Sequence, residues 1–211
     1  MREIIGIRRA GESALRLLAE MCSDDTLPPR DTDESVDATI IFADIENFSD
    51  LVATEGDDVA TRVLDALDCA VEAAISHTTC RVVKRLGDGV MIATTDPGDG
   101  VSTAASLSGE FADALRSEPF ALRLRVGAHR GVVRRRGDDL IGYHVNVAAR
   151  VAEQASGGTT LITQALHDSV LLSQRLVARP AGTLVAKGVP ERPVLYRLID
   201  VEAQDLSAIS A

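Results

Sequence analysis

The sequence predicts an α+β sandwich, a mainly antiparallel sheet with helices on one face. Three observations carry this. Arg81–Thr94, RVVKRLGDGVMIAT, places two apolar, β-rich runs on either side of Gly87-Asp88-Gly89, and Asp-Gly between such runs is a strong local signal for a tight hairpin. Phe120–Val133 alternates, with Leu122, Leu124, Val126 and Ala128 on one face, as a half-buried strand does. Around both, amphipathic helical stretches and short β-rich runs follow in the order strand, two helices, hairpin, helix, strand, helix, strand.

Taken in order, Met1–Met21 carries Ile4, Ile7, Ala14, Leu15, Leu18 and Met21 in a rough helical stripe that Gly6 and Gly11 weaken. Residues 1–22 are read as a helical extension, for packing or dimerisation. Residues 23–37 are acidic, contain Pro28-Pro29 and read as a linker. Regular structure is expected from about Ala38, in one domain over residues 38–200 followed by a short tail, 201–211. Its first strand is Thr39–Ala43. Phe48, Leu51 and Val52 indicate a short helix ending near Gly56, and Asp57 reads as the N-cap of a longer one. That helix spaces Val59, Val63, Leu67, Val71 and Ile75 at steps of four.

After the hairpin, Asp96-Pro97-Gly98 reads as a turn before a helix carrying Leu107, Phe111 and Leu115. The alternating strand is expected to turn near Gly131 and return. GYHVNVAARVAEQASGG is a helix that Gly157-Gly158 stops. Thr159–Thr163 is a short strand and Gln164–Ser173 a helix. Thr183–Ala186 with Pro193–Ile199 forms a closing antiparallel pair.

The chain has 211 residues, 45% of them hydrophobic, enough for one domain with a full core. A net charge of −10 argues against nucleic acid or an anionic membrane as the main partner. With 3% aromatic residues and no Trp, recognition by base stacking is disfavoured. Cys22, Cys69 and Cys80 are odd in number and lack ligand spacing, as expected of reduced thiols in a cytoplasmic protein. No apolar run reaches the length of a membrane span and no signal peptide is visible.

Two carboxylates stand out: Asp44 at the end of the first buried strand and Asp88 at the hairpin tip. At adjacent strand ends they suit hard divalent cations, which take oxygen ligands and leave positions open for phosphate. Taken alone, Asp88 equally fits turn chemistry and Asp44 a helix N-cap. His129 and His144 read as hydrogen-bonded structural residues, and Arg134–Arg136 as a solvated hairpin tip or an attraction for phosphate.

Three separated stretches, FADIENFS, KRLGDGV and DLIGYHVNVAAR, together with RVGAHRG and AKGVPERPVLYRL, resemble the class III nucleotidyl cyclase catalytic domain from about Ala38 to Ile199. The resemblance implies a ferredoxin-like, palm-type sandwich and conversion of ATP to 3′,5′-cyclic AMP and pyrophosphate. It assigns Asp44, Asp88 and the Ile45 carbonyl to two divalent cations, Mg2+ or Mn2+. Lys84 and Asp139 match the adenine-reading pair, where guanylyl cyclases typically carry Glu and Cys. Asn146 and Arg150, four apart on one helix face, match the ribose-orienting residue and the one facing transition-state charge. Lys187 matches the lysine that reaches the triphosphate.

The family pairs head to tail, so the resemblance also implies a homodimer with shared sites. Lys84 and Asp88 are four residues apart across a turn, which is too short a span for one hairpin to serve both ends of a nucleotide. Two departures are visible: Asn47 stands where the family usually has Gly, and the hairpin Gly131–Asp139 is short. Guanylyl cyclase and a catalytically silent nucleotide-binding module are the alternatives. Lys84 with Asp139 argues against the first, and retention of Asp44, Asp88, Asn146 and Arg150 against the second.

Overall fold

The structure is a computed structural model and describes residues 34–173 and 175–201. The helical stripe of Met1–Met21, Cys22, most of the acidic linker and the tail beyond Val201 lie outside the described residues. Strand β1 (Ser35–Ile45) leads into helices α1 (Phe48–Glu55) and α2 (Asp57–Ile75), then the hairpin β2 (Arg81–Leu86) and β3 (Gly89–Thr94). Helix α3 (Pro97–Ala114) precedes β4 (Leu124–Arg136), β5 (Asp139–Ile141), α4 (Tyr143–Gln154), β6 (Thr159–Thr163) and the short α5 (Gln164–His167). Strands β7 (Leu176–Thr183) and β8 (Val194–Asp200) close the domain.

The sheet order is β2-β3-β1-β4-β6-β8-β7, with β5 paired to the end of β4. Its pairs are antiparallel except β4 with β6. β1 lies between β3 and β4 and is antiparallel to both, which gives the βαββαβ arrangement of ferredoxin-like, palm-type sheets.

Strand alternation divides the core in two. Ile41, Ala43 and Ile45 of β1, with Leu124, Val126 and Ala128 of β4, face Val63, Leu67 and Val71 of α2 and Leu107 and Phe111 of α3. Each such fully buried Val, Leu, Ile or Phe side chain stabilises the fold by roughly 1.5–3 kcal/mol. Ala38 and Ile40 of β1, with Met91 and Ala93 of β3, point the other way and meet Ala148 of α4. Helices therefore cover both faces of the sheet, not the single face expected from the sequence.

The reason lies in β4. A Cβ at Gly127 would come within 2.1 Å of the Ala152 main chain, and one at Gly131 within 2.3 Å of the His144 ring. The two glycines let α4 lie directly on the strand. Gly131 is thus a close-approach residue rather than a turn, and β4 runs through it to Arg136. The reversal comes at Gly137, φ +59°, and Asp138. Arg134–Arg136 are strand residues paired with Asp139–Ile141 and do not form the hairpin tip.

Other boundaries also move. β1 begins at Ser35, inside the stretch read as linker, because Ser35–Asp37 pair with Val132–Arg134. Gly56 rather than Asp57 caps α2, and Asp57 and Asp58 sit in its first turn, where carboxylates favour the helix dipole. Asp96 is the N-cap of α3, accepting from the Asp99 amide at 3.0 Å with Pro97 as the first helical residue, so the expected turn is a helix start.

The helix expected over Gln164–Ser173 ends at His167. Beyond it Val170 and Leu172 pack on the core while Leu171 is fully exposed, the alternation of extended chain. β7 runs from Leu176 to Thr183 and ends where the expected strand Thr183–Ala186 begins; it is an edge strand with an irregularity between Pro180 and Thr183, where proline is tolerated. Asn47 adopts φ +60°, which explains why it can replace glycine: asparagine enters the left-handed region more readily than other side chains. Cys69 and Cys80 are free thiols. Among the described residues, no helix is long and apolar enough to cross a membrane.

Candidate active site

The site is built on strand ends and on one face of α4. Asp44, near the end of β1, stands in register between Gly89 of β3 and Arg125 of β4. It shares the parity of Ile40 and so points to the α4 side of the sheet. The Ile45 amide donates to the Asp88 carbonyl at 3.3 Å, tying the hairpin tip to the end of β1. The Asp44 carboxyl senses the charge of Asp88. Burial, then the charge of Asp88, raises the Asp44 pKa above its ordinary value; the charge and hydrogen bond of Arg125 oppose this, and Glu153 adds to the rise.

Arg125 contacts the Asp44 carboxylate directly, and its Nε is buried without a hydrogen-bond partner. A groove of about 320 Å³ opens here, lined by Asp44, Gly89, Ala149 and Glu153 among others. Two mutually repelling, partly buried carboxylates form a donor set that fits hard divalent cations. The Ile45 side chain is fully buried in the core, so only its carbonyl is available to such an ion. Among the described residues, no group of three or more His, Cys, Asp or Glu side chains converges to hold a metal.

At the other end of the hairpin, a register shift between Val82 and Lys84 sets Lys84 opposite Met91. Its Nζ donates to Asp139 Oδ2 at 2.8 Å, and Asp139 Oδ1 accepts from the Leu140 amide at 2.8 Å. Burial pushes the Asp139 carboxyl up. The hydrogen bonds from Lys84 and Leu140, with the charges of Lys84 and Arg136, outweigh burial and bring it below its ordinary value.

On α4, Asn146 and Arg150 are half-buried. Arg150 Nη1 donates to both carboxylate oxygens of Glu153, at 2.7 and 2.5 Å, while its Nε is buried and unpartnered. Lys187 sits exposed on a tight turn closed by the bridge between Ala186 and Val189. A Cβ at Gly188 would lie 3.5 Å from Asn146 Nδ2, so this turn rests beside Asn146. The structure therefore assembles Asp44 with Asp88, Lys84 with Asp139, and Asn146 with the Lys187 turn. Sequence reasoning did not single out Arg125 or Glu153. Strand register to Asp44 would have pointed to the first, and spacing of three from Arg150 to the second.

Behind α4, His129 is 5% exposed. Its Nδ1 shares a 2.7 Å hydrogen bond with Thr163 Oγ1, and its Nε2 one of 2.8 Å with His144 Nδ1. Burial, and secondarily the neighbouring His144, lowers its pKa from 6.5 to about 4. Between those values the unfolded chain holds a proton that the native state lacks. Native stability is thus complete above about pH 6.5 and falls as pH drops towards 4, by up to about 3 kcal/mol. Urea unfolding at pH 7 and 4.5 should show a steeper loss in the wild type than in His129→Gln; equal losses would disprove the assignment.

Comparison with known proteins shows the family and the fold. The family profile described as the adenylate and guanylate cyclase catalytic domain matches residues 31–199. The chain is 30% identical over 215 residues to the receptor-type adenylate cyclase GRESAG 4.3 of Trypanosoma brucei brucei, covering 81% of this chain and 17% of that protein. It spans less than half the length of the curated relatives compared. The fold is shared with the adenylyl cyclase CyaB of P. aeruginosa at a TM-score of 0.70 and 20% identity, over 79% of this chain and 95% of that one. It is also shared with the guanylate cyclase domain of RhGC from Catenaria anguillulae, at a TM-score of 0.65 and 17% identity, over 79% and 98%.

Proposed function

Because the chain belongs to the adenylate and guanylate cyclase catalytic domain family, we propose that it is an adenylyl cyclase that converts ATP to 3′,5′-cyclic AMP and pyrophosphate. The observation that carries the choice of base is the Lys84–Asp139 pair, held at 2.8 Å between β2 and β5. The ammonium donates to adenine N1 and the carboxylate accepts from the exocyclic amine. Guanine presents a donor at N1 and an acceptor at C6, and so opposes both.

Asp44, Asp88 and the Ile45 carbonyl would hold two divalent cations, Mg2+ or Mn2+, whose chemistry when bound is to acidify the 3′-hydroxyl and neutralise the leaving pyrophosphate. Asn146 orients the ribose so that its 3′ oxygen lies in line with the α-phosphorus. Arg150, released from Glu153, faces the charge that develops on the α-phosphate. Lys187 binds the triphosphate.

The working unit in this reading is a homodimer whose sites each draw on both chains. Exposed apolar side chains accord with it: Leu86, Ile141, Tyr143 and Val185 each lie within three residues of a site residue, where a second chain would cover them.

The test is product analysis after incubation with ATP or GTP and Mg2+ or Mn2+. Cyclic AMP is expected. Predominant cyclic GMP would overturn the base assignment, and no product from either nucleotide would favour a silent binding module. Exchanging donor and acceptor by Lys84→Glu with Asp139→Cys should lower kcat/KM for ATP by roughly 100-fold or more and raise the share of GTP turned over. Unchanged ATP preference would show that these residues do not read the base.

A further inference from the structure

Lys187 lies outside the sheet ladder, on the segment of residues 184–193 that joins β7 to β8, and something must hold that segment still. Its base is closed by the Leu184 amide donating to the Pro193 carbonyl at 2.9 Å. Leu184 and Val189 are buried against Val147 and Val151 of α4 and Leu195 of β8. Apolar contact gives the segment a depth but not an orientation. The orientation comes from two polar contacts, both from α4. Gln154, the last residue of the helix, donates from Nε2 to the Thr183 carbonyl at 3.1 Å and accepts on Oε1 from the Val185 amide at 3.2 Å. Its side-chain amide thus pairs the main-chain groups on either side of Leu184 as a neighbouring strand would. At the far end of the segment, the Tyr143 hydroxyl donates to the Glu191 carboxylate.

We propose that Gln154 and Tyr143 form a two-point clamp through which α4 positions the Lys187 turn over the triphosphate, a role that rests on the reading of Lys187 above. The two residues stand eleven positions apart, about three helical turns or 16 Å, and they grip the two ends of the segment while Gly188 rests beside Asn146. The clamp places Asn146, Arg150 and Lys187 on one rigid body. A lysine is a long, freely rotating side chain, so its contribution to binding depends on where its backbone is fixed, and a displacement of about 1 Å is enough to weaken a catalytic arrangement severely. Gln154 is exposed, so its loss leaves the core intact. An ordinary solvated glutamine would have no need to satisfy two main-chain groups of another segment. Gln154 and Tyr143 are positioning residues in this account, and neither touches the nucleotide.

The experiment measures KM and kcat for ATP in the wild type, Gln154→Ala, Lys187→Ala and the double variant, with amide hydrogen exchange on the same proteins. Gln154→Ala should raise KM about fivefold or more with a smaller change in kcat, and should speed exchange of the Val185 amide. In the Lys187→Ala background the same replacement should have no further effect on KM, because the residue it positions is gone. Tyr143→Phe, which removes one hydroxyl, should show the same dependence on Lys187. Gln154→Glu, which keeps the acceptor for Val185 but not the donor to Thr183, should fall between the wild type and Gln154→Ala. Additive effects of Gln154→Ala and Lys187→Ala, or unchanged exchange at Val185, would overturn the clamp. An unchanged KM in Lys187→Ala alone would instead overturn the reading of Lys187 on which it rests, whatever the exchange data show.

Discussion

Asp44→Ala, or Asp88→Ala, is expected to lower turnover by several orders of magnitude while the protein stays folded. Each carboxylate is assigned to both cations, so neither can be lost with one ion left intact. Asp88 is the cleaner of the two, because its link to β1 is made by its main-chain carbonyl, which accepts from Ile45 whatever the side chain. Asp44→Ala also strips Arg125 of its partner, and an uncompensated, partly buried charge is destabilising. Asp44→Asn separates these effects, since it keeps an acceptor for Arg125 but removes the negative charge an ion requires. Initial rates at saturating ATP, with thermal unfolding of each variant, measure the outcome. Near-wild-type turnover in Asp88→Ala or Asp44→Asn would remove the two-cation assignment.

Activity is also expected to return when two inactive proteins, Asp44→Ala and Asn146→Ala, are mixed. In a head-to-tail homodimer the carboxylates of one chain serve the site completed by Lys84, Asp139, Asn146, Arg150 and Lys187 of the other, and a two-fold axis makes two such sites. A heterodimer of the two variants holds one site with both lesions and one with none. If the sites act independently, it should recover up to about half the wild-type rate. Placement within one chain supports this division. Lys84 turns towards Asp139 on β5, whereas Asp88 is tied at the hairpin tip to the end of β1. Subunit exchange can be followed by mixing differently labelled proteins. A mixture that exchanges yet stays inactive would show that each site is built from one chain.

Elements governed by local chemistry were legible in the sequence. The Gly87-Asp88-Gly89 hairpin followed from turn preferences, α2 from apolar steps of four, and β6 from a short β-branched run before a helix. The pairing of residues into motifs was legible as well, because Asn146 and Arg150 lie on one helix face and Lys84 and Asp88 flank one turn. All of these depend on neighbours within a few residues. Gly131 was misread for the same reason: a glycine in an alternating run looks like a turn locally, whereas its cause is the His144 ring lying against it from another element. β7 escaped notice because Pro180 and Gly182 are poor strand formers, and only its position at the sheet edge makes them acceptable.

By itself, then, the sequence determined the α+β class, the hairpin and most of the helix positions, and it named the side chains proposed to carry the chemistry. Tertiary structure alone decided that α4 lies on the face of the sheet opposite α2 and α3, that Arg125 meets Asp44 across strand register, and that Gln154 reaches the Lys187 segment. The division follows range. Periodicity and turn preference act over a few residues, whereas a helix chooses its face, and a charge its partner, through close packing between segments far apart in the chain, 81 positions for Asp44 and Arg125.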